Sequence, residues 1–119
     1  MRYKLPKEVY HRTQWLIRDY PRLKAEYEAA INQSPVMDGQ PRGTGISDPT
    51  EREAELRIKY GEDVSAIEKG FSRVPEEYRK GLYEAIVLRK RYPDYAGLST
   101  WKRWRQRLVF YVAKYKGWW

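Results

Sequence analysis

Wherever apolar residues recur in this chain they do so at three- and four-residue steps, and nowhere do they alternate with the two-residue period of a strand. That limits the fold to packed helices, with prolines and glycines marking where each one starts and stops. Leu16, Tyr20, Leu23, Tyr27 and Ile31 form one helical stripe, interrupted by Pro21. A proline suits the first turn of a helix and breaks an interior, so the spacing predicts two pieces, roughly 7–19 and 21–32, with Tyr20 in the cap. Gln33 to Ser47 (QSPVMDGQPRGTGIS) carries three glycines and two prolines and reads as a flexible loop over 34–47.

Ser47 or Asp48 then supplies an N-cap, Pro49 a first turn, and Glu51, Glu53 and Glu55 the charges a helix N-terminus favours. Leu56, Tyr60, Val64, Ile67, Phe71 and Val74 continue one stripe across Gly61 without a phase change. This predicts a long helix of about 49–73 that tolerates Gly61 at about 1 kcal/mol relative to Ala. Pro75 opens the next helix, with Glu76 and Glu77 in its first turn. Tyr78, Leu82, Ala85, Ile86 and Tyr92 make one face of it, and Tyr83, Val87 and Leu88 add apolar surface elsewhere, which predicts the central, most buried helix. Pro93 to Gly97 (PDYAG) ends it, and Ser99 or Thr100 caps a final helix over 99–116. The expectation is an all-α single domain over 1–119 with about five helices: N-terminal helices in 1–33, the loop, and a helical core in 48–119.

Composition narrows the chemistry. Hydrophobic content of 41% with 15% aromatics supports a packed core despite 34% charged residues. With no cysteine, disulfides, thiolate metal sites and cysteine nucleophiles are excluded. The opening MRYKLPKEVY has no apolar signal region, and no stretch approaches a bilayer span, which predicts a cytoplasmic protein with no membrane partner. His11 is the single histidine and stands in no motif. The acids lie at helix starts and in pairs such as Glu51 and Glu55, a solvated face and not a metal cluster. The GTG of the loop lacks the Lys-Ser/Thr of a phosphate-binding loop and reads as a turn. No enzyme activity and no cofactor are expected.

Charge is distributed unevenly. From Arg79 onward stand eleven Lys and Arg against two acids, Glu84 and Asp94, a balance of +9; residues 1–78 hold thirteen bases and fourteen acids. A near-neutral body with a strongly basic helix is the footprint of a polyanion reader. On that helix Trp101, Trp104, Leu108, Tyr111, Val112 and Tyr115 fall on one face. Ser99, Lys102, Arg103, Gln106, Phe110, Ala113 and Lys114 fall on the other, with Arg105 and Arg107 at the boundary. The tryptophans read as core. Ser99, Thr100, Lys102, Arg103, Gln106 and Arg107 could meet double-stranded DNA in a major groove, the glutamine being suited to adenine. Arg89, Lys90 and Arg91 either complement a helix C-terminus or clamp flanking phosphates. Phe110 either packs under the N-terminal helices or contacts a partner, and Trp118 and Trp119 either dock on the domain or form an interface.

Two helices, the second basic and capped by Ser-Thr, have the layout of a helix-turn-helix, here 75–116. Val74 to Ile86 (VPEEYRKGLYEAI) followed by Tyr92 to Lys114 (YPDYAGLSTWKRWRQRLVFYVAK) resembles the C-terminal part of the RinA/ArpU-like phage regulators. The loop PRGTGISDPT and the DYP at Asp19 to Pro21 are similar to that group too, and TWKRWRQR is the most specific piece. The group is in turn similar to the promoter-reading C-terminal domain of sigma factors. The resemblance implies a phage or prophage-encoded activator of late genes in a bacterial host, with Ser99, Thr100, Lys102, Arg103 and Gln106 as the DNA-reading turn and with RNA polymerase and a homodimer as further partners. It departs from the sigma pattern in having only PDYAG where a short helix stands between the two. Two other functions fit the charge: a phage-encoded inhibitor of a host or defence protein, and a packaging factor that binds nucleic acid without sequence preference.

Overall fold

The computed structural model describes residues 2–32 and 48–119, and the loop predicted at 34–47 lies outside them. Five helices follow in order: α1 Lys7–Arg18, α2 Tyr20–Asn32, α3 Asp48–Ser72, α4 Glu76–Ile86 and α5 Leu98–Lys116, with no strand among the described residues. The protein is all-α. Pro21 does divide the first stripe. Asp19 closes α1, its N–H donating to the carbonyls of Trp15 and Leu16, and then starts α2 by accepting from the Leu23 N–H. Its carboxylate holds Arg22, with Nε at 2.9 Å and 3.1 Å from the two oxygens. α3 runs unbroken through Gly61.

α5 is the central helix. It touches α1, α3 and α4, while α3 packs on α2 along its other side. Trp101, Leu108, Val109, Val112 and Ala113 of α5 are all fully buried, against Val64, Ala66 and Ile67 of α3, Ile17 of α1 and Leu82 and Ile86 of α4. The sequence assigns that central place to the helix after Pro75, and the structure corrects this. α4 stops at Ile86, after eleven residues, so Leu88 and Tyr92 lie outside it and the all-round apolar pattern is not that of one helix.

Arg89 ends α4. It has φ 58°, the one non-glycine with positive φ among the described residues, while the Lys90 N–H reaches back 3.0 Å to the Glu84 carbonyl. Residues 87–97 then connect α4 to α5 without a helix, a span of eleven residues where a helix-turn-helix uses three or four.

Close helix approach depends on two glycines. A Cβ on Gly70 would collide with the Val112 side chain, so α3 and α5 meet there backbone to side chain. A Cβ on Gly81 would lie 2.6 Å from Trp101 Cη2, 2.9 Å from its Cζ3 and 3.0 Å from Pro93 Cδ. The indole therefore fits only because position 81 has no side chain. Gly81→Ala should lower stability by about 1–3 kcal/mol through overpacking, and Trp101→Ala by about 3–5 kcal/mol through the cavity it leaves. Urea unfolding checks both.

Candidate nucleic-acid interface

The buried face of α5 is turned relative to the pattern its large residues suggest. Trp101, Leu108 and Val112 are buried as expected, but so are Val109 and Ala113, while Trp104 and Tyr111 are half-buried and Tyr115 is exposed. Amphipathic rings sit at the margin of the core, and small residues occupy its centre, where α1 and α3 come closest. Trp104 is thus a margin residue, stacked on Tyr78 with centroids 6.1 Å apart, and not core.

This rotation takes several bases out of the candidate interface. Arg105 lies within the packed face, where its guanidinium donates to the Gln14 side-chain oxygen from Nη2 at 2.7 Å and from Nε at 3.0 Å, and to the Tyr92 hydroxyl at 2.9 Å. Lys116 forms a largely buried ion pair with Asp63 at 2.5 Å. Arg79 donates to the carbonyls of Val74 and Ser72 and closes the end of α3. These charges hold helices together and are not available to a ligand.

The N-terminal segment occludes part of the outer face. Tyr3 packs edge-on against Phe110 (5.3 Å) and Tyr111 (5.8 Å), and the Arg107 guanidinium lies over its ring at 4.6 Å. Phe110 therefore packs against the N-terminal segment, and Arg107 is half-covered. At the far end Gly117 adopts the left-handed conformation at φ 76°, with the Trp118 N–H donating to the Ala113 carbonyl. This turns Trp118 back onto the core, where Arg12 stacks on it at 3.8 Å, whereas Trp119 stays exposed.

What remains open is the start of α5 and the connection before it. Ser99, Lys102 and Arg103 are exposed, Thr100 and Gln106 half-buried, and Arg89, Lys90 and Arg91 exposed. Among the described residues, none of these bases is in an ion pair. Neither Ser99 nor Thr100 is the N-cap: Gly97 holds that position, in extended conformation and with no side-chain cap, and the serine and threonine stand in the first turn. Arg89 to Arg91 do not end a helix either, so the dipole accounts for none of them. Tyr92 brings their segment alongside α5, stacking on Trp101 with centroids 5.6 Å apart and accepting from Arg105.

Three residues that the spacing does not single out complete the surroundings. Gln14 carries Arg105, Trp15 is exposed on α1, and Arg18 donates to the Ile86 carbonyl at the end of α4. Burial, and then the like charges of Arg89 and Arg105, make Arg18 less basic than an ordinary arginine. Positive charge is therefore crowded where α1, α4 and α5 meet. No local pattern announces this, because Gln14 and Arg18 lie 91 and 68 residues from Arg105 and Ile86, the residues they bond. His11 is exposed, with its ring on Tyr10, and no three His, Cys, Asp or Glu of the described residues come together as metal ligands. No helix of the described residues is long and apolar enough to cross a membrane. Compared with known proteins, the chain matches no family model, no curated protein and no solved structure.

A left-handed arginine costs about 1–2 kcal/mol that a glycine would not, so Arg89 is kept at a position where its backbone is disfavoured. Arg89→Gly and Arg89→Ala both remove the guanidinium, but only the second keeps the strain. The glycine variant should be the more stable of the two by about 1 kcal/mol in urea unfolding. Equal stabilities would show that the backbone there is unstrained.

Proposed function

We propose that this protein is a phage-type transcription regulator that binds double-stranded DNA, with the first turns of α5 in the major groove. Ser99, Lys102 and Arg103 reach base edges, and Gln106 stands at the margin of that set. Arg89, Lys90 and Arg91 grip the flanking phosphates. The observation that carries this is the residue of charge left after internal pairing. With Arg79, Arg105 and Lys116 taken up by the fold, five exposed bases without an acid partner stand on two adjoining segments, 89–91 and 102–103, which the stacking of Tyr92 on Trp101 holds together. An uncapped helix start beside them adds backbone N–H groups that suit a phosphate.

The resemblance of Val74 to Lys114 to the RinA/ArpU-like regulators supports the same function, and with it an activating role on late genes in the bacterial cytoplasm. A second copy, or RNA polymerase, would supply the affinity that one short reading surface lacks. Under this proposal α4 and α5 act as a helix-turn-helix with an extended, basic connection in place of the tight turn.

A protein partner is the second reading, and one observation favours it. Leu88, Tyr95 and Leu98 remain 50%, 60% and 55% exposed on and beside the connection, more apolar surface than phosphate contact uses. A host or defence protein blocked by this face would bury them.

Duplex binding as a function of salt separates these functions. Arg103→Ala should cost a selected sequence about 1–3 kcal/mol and random DNA little. Lys90→Ala should weaken all duplexes alike and reduce the salt slope by roughly one. Equal losses from Arg103→Ala on selected and random DNA would point to the non-specific packaging function. No duplex binding at low salt would point to the protein partner.

A further inference from the structure

Trp15 is the exposed large apolar side chain of α1, 59% exposed, two residues from the fully buried Ile17. Two guanidiniums stand over its ring, that of Arg18 at 5.2 Å from the centroid and that of Arg89 at 5.7 Å. With Asp19 and Val87 these three bound a cleft of about 380 Å³. The contrast with Trp118 is informative: there the Arg12 guanidinium lies over the indole at 3.8 Å, whereas at Trp15 the cations stand farther off and border a cleft. Its volume falls in the lower range of small-ligand sites, which begin at about 300 Å³.

The charge of this cleft is positive. Arg22 engages both oxygens of Asp19, so that carboxylate is already answered. Arg18 uses its Nε on the Ile86 carbonyl, and neither Arg18 nor Arg89 has an ion pair among the described residues. Arg89 is held there from a left-handed backbone that favours glycine. A solvent-exposed indole, two guanidiniums free of acids and one apolar wall are groups suited to stacking a base and holding its phosphate.

We infer that the Trp15 cleft takes one unpaired nucleotide, its base stacked on the indole and its phosphate against Arg18 and Arg89. This rests on the nucleic-acid reading above and specifies it further. A paired base has both faces buried in the duplex stack, so the ligand is a bulged, flipped or single-stranded position beside the duplex that α5 engages. Stacking on an exposed aromatic is tolerant of base identity, so this cleft senses an opened helix and not a sequence.

The test uses the full chain and two short duplexes, one carrying a single bulged 2-aminopurine and one fully paired. Wild-type protein should prefer the bulged duplex by on the order of ten-fold and quench the 2-aminopurine. Trp15→Ala should abolish both the preference and the quenching without lowering the melting temperature, since the ring is exposed, and Trp15→Phe should retain part of each. No preference in the wild type, or preference and quenching that survive Trp15→Ala, would overturn the inference. Arg103→Ala, run in parallel on the paired duplex, keeps the two ideas apart. If paired binding responds to Arg103 while the bulge gains nothing, the cleft assignment fails alone. If paired DNA does not bind but the bulged duplex does, in a Trp15-dependent way, the promoter-reading function fails and the cleft stands.

Discussion

A buried indole needs an acceptor for its N–H, and Trp101 meets that need with the Pro93 carbonyl at 2.9 Å. That bond, and the aromatic packing around it, fixes the C-terminal half of the molecule. Tyr92 stacks on the same ring, Tyr78 meets it edge-on at 5.2 Å and Tyr95 at 5.3 Å, and Gly81 backs it from α4. One side chain therefore sets the spacing of α4 and α5 and draws residues 92–95 onto α5. The connection has no helical hydrogen bonds of its own over 92–97, so Trp101, together with the Arg105–Tyr92 bond, sets the bases at 89–91 in relation to those at 102–103.

The positive charge of the C-terminal third divides by depth. Where a guanidinium or ammonium meets an uncharged acceptor or a single acid inside the fold, it acts as a cross-link: Arg105 ties α1 to α5 and to the connection, and Lys116 ties α5 to α3. Guanidinium suits the first task because its fork serves Gln14 and Tyr92 at once, which an ammonium could not do from one position. Bases at the margins are left solvated, and repulsion among them goes unrelieved by acids. Arg18 shows this locally, being made less basic by burial and by two neighbouring arginines. Under the proposed function, that surface would meet the phosphates of a nucleic acid.

Much of this was legible in the sequence. The three- and four-residue spacing and the placement of Pro21, Pro49 and Pro75 define four of the five helices to within a residue or two. Trp101, Leu108 and Val112 are identifiable as core from spacing alone. The end of α4 is not, because Val87, Leu88 and Tyr92 keep helical spacing while the backbone turns at Arg89, a residue with no local signature for a left-handed conformation. Nor is the true buried face of α5. Residue size points to Trp104, Tyr111 and Tyr115, but the arrival of α1 and α3 selects Val109 and Ala113. Of the candidate site, Lys102, Arg103 and Arg89 to Arg91 could be picked out as bases. Which bases are withdrawn into the fold could not, because Gln14 and Asp63 lie 91 and 53 residues from Arg105 and Lys116.

The packing of Tyr3 across Arg107, Phe110 and Tyr111 has a practical corollary for the two ends of the polypeptide. Any extension ahead of Arg2 would emerge beside the middle of α5, whereas one added after Trp119 would leave past the Gly117 cap at its C-terminal end. A purification tag or fusion partner at the front would thus crowd the middle of α5, around Arg107 to Tyr111, and disturb the tyrosine that covers it. Placed at the back, the same addition would start beyond the last turn of α5, away from Ser99 to Arg103.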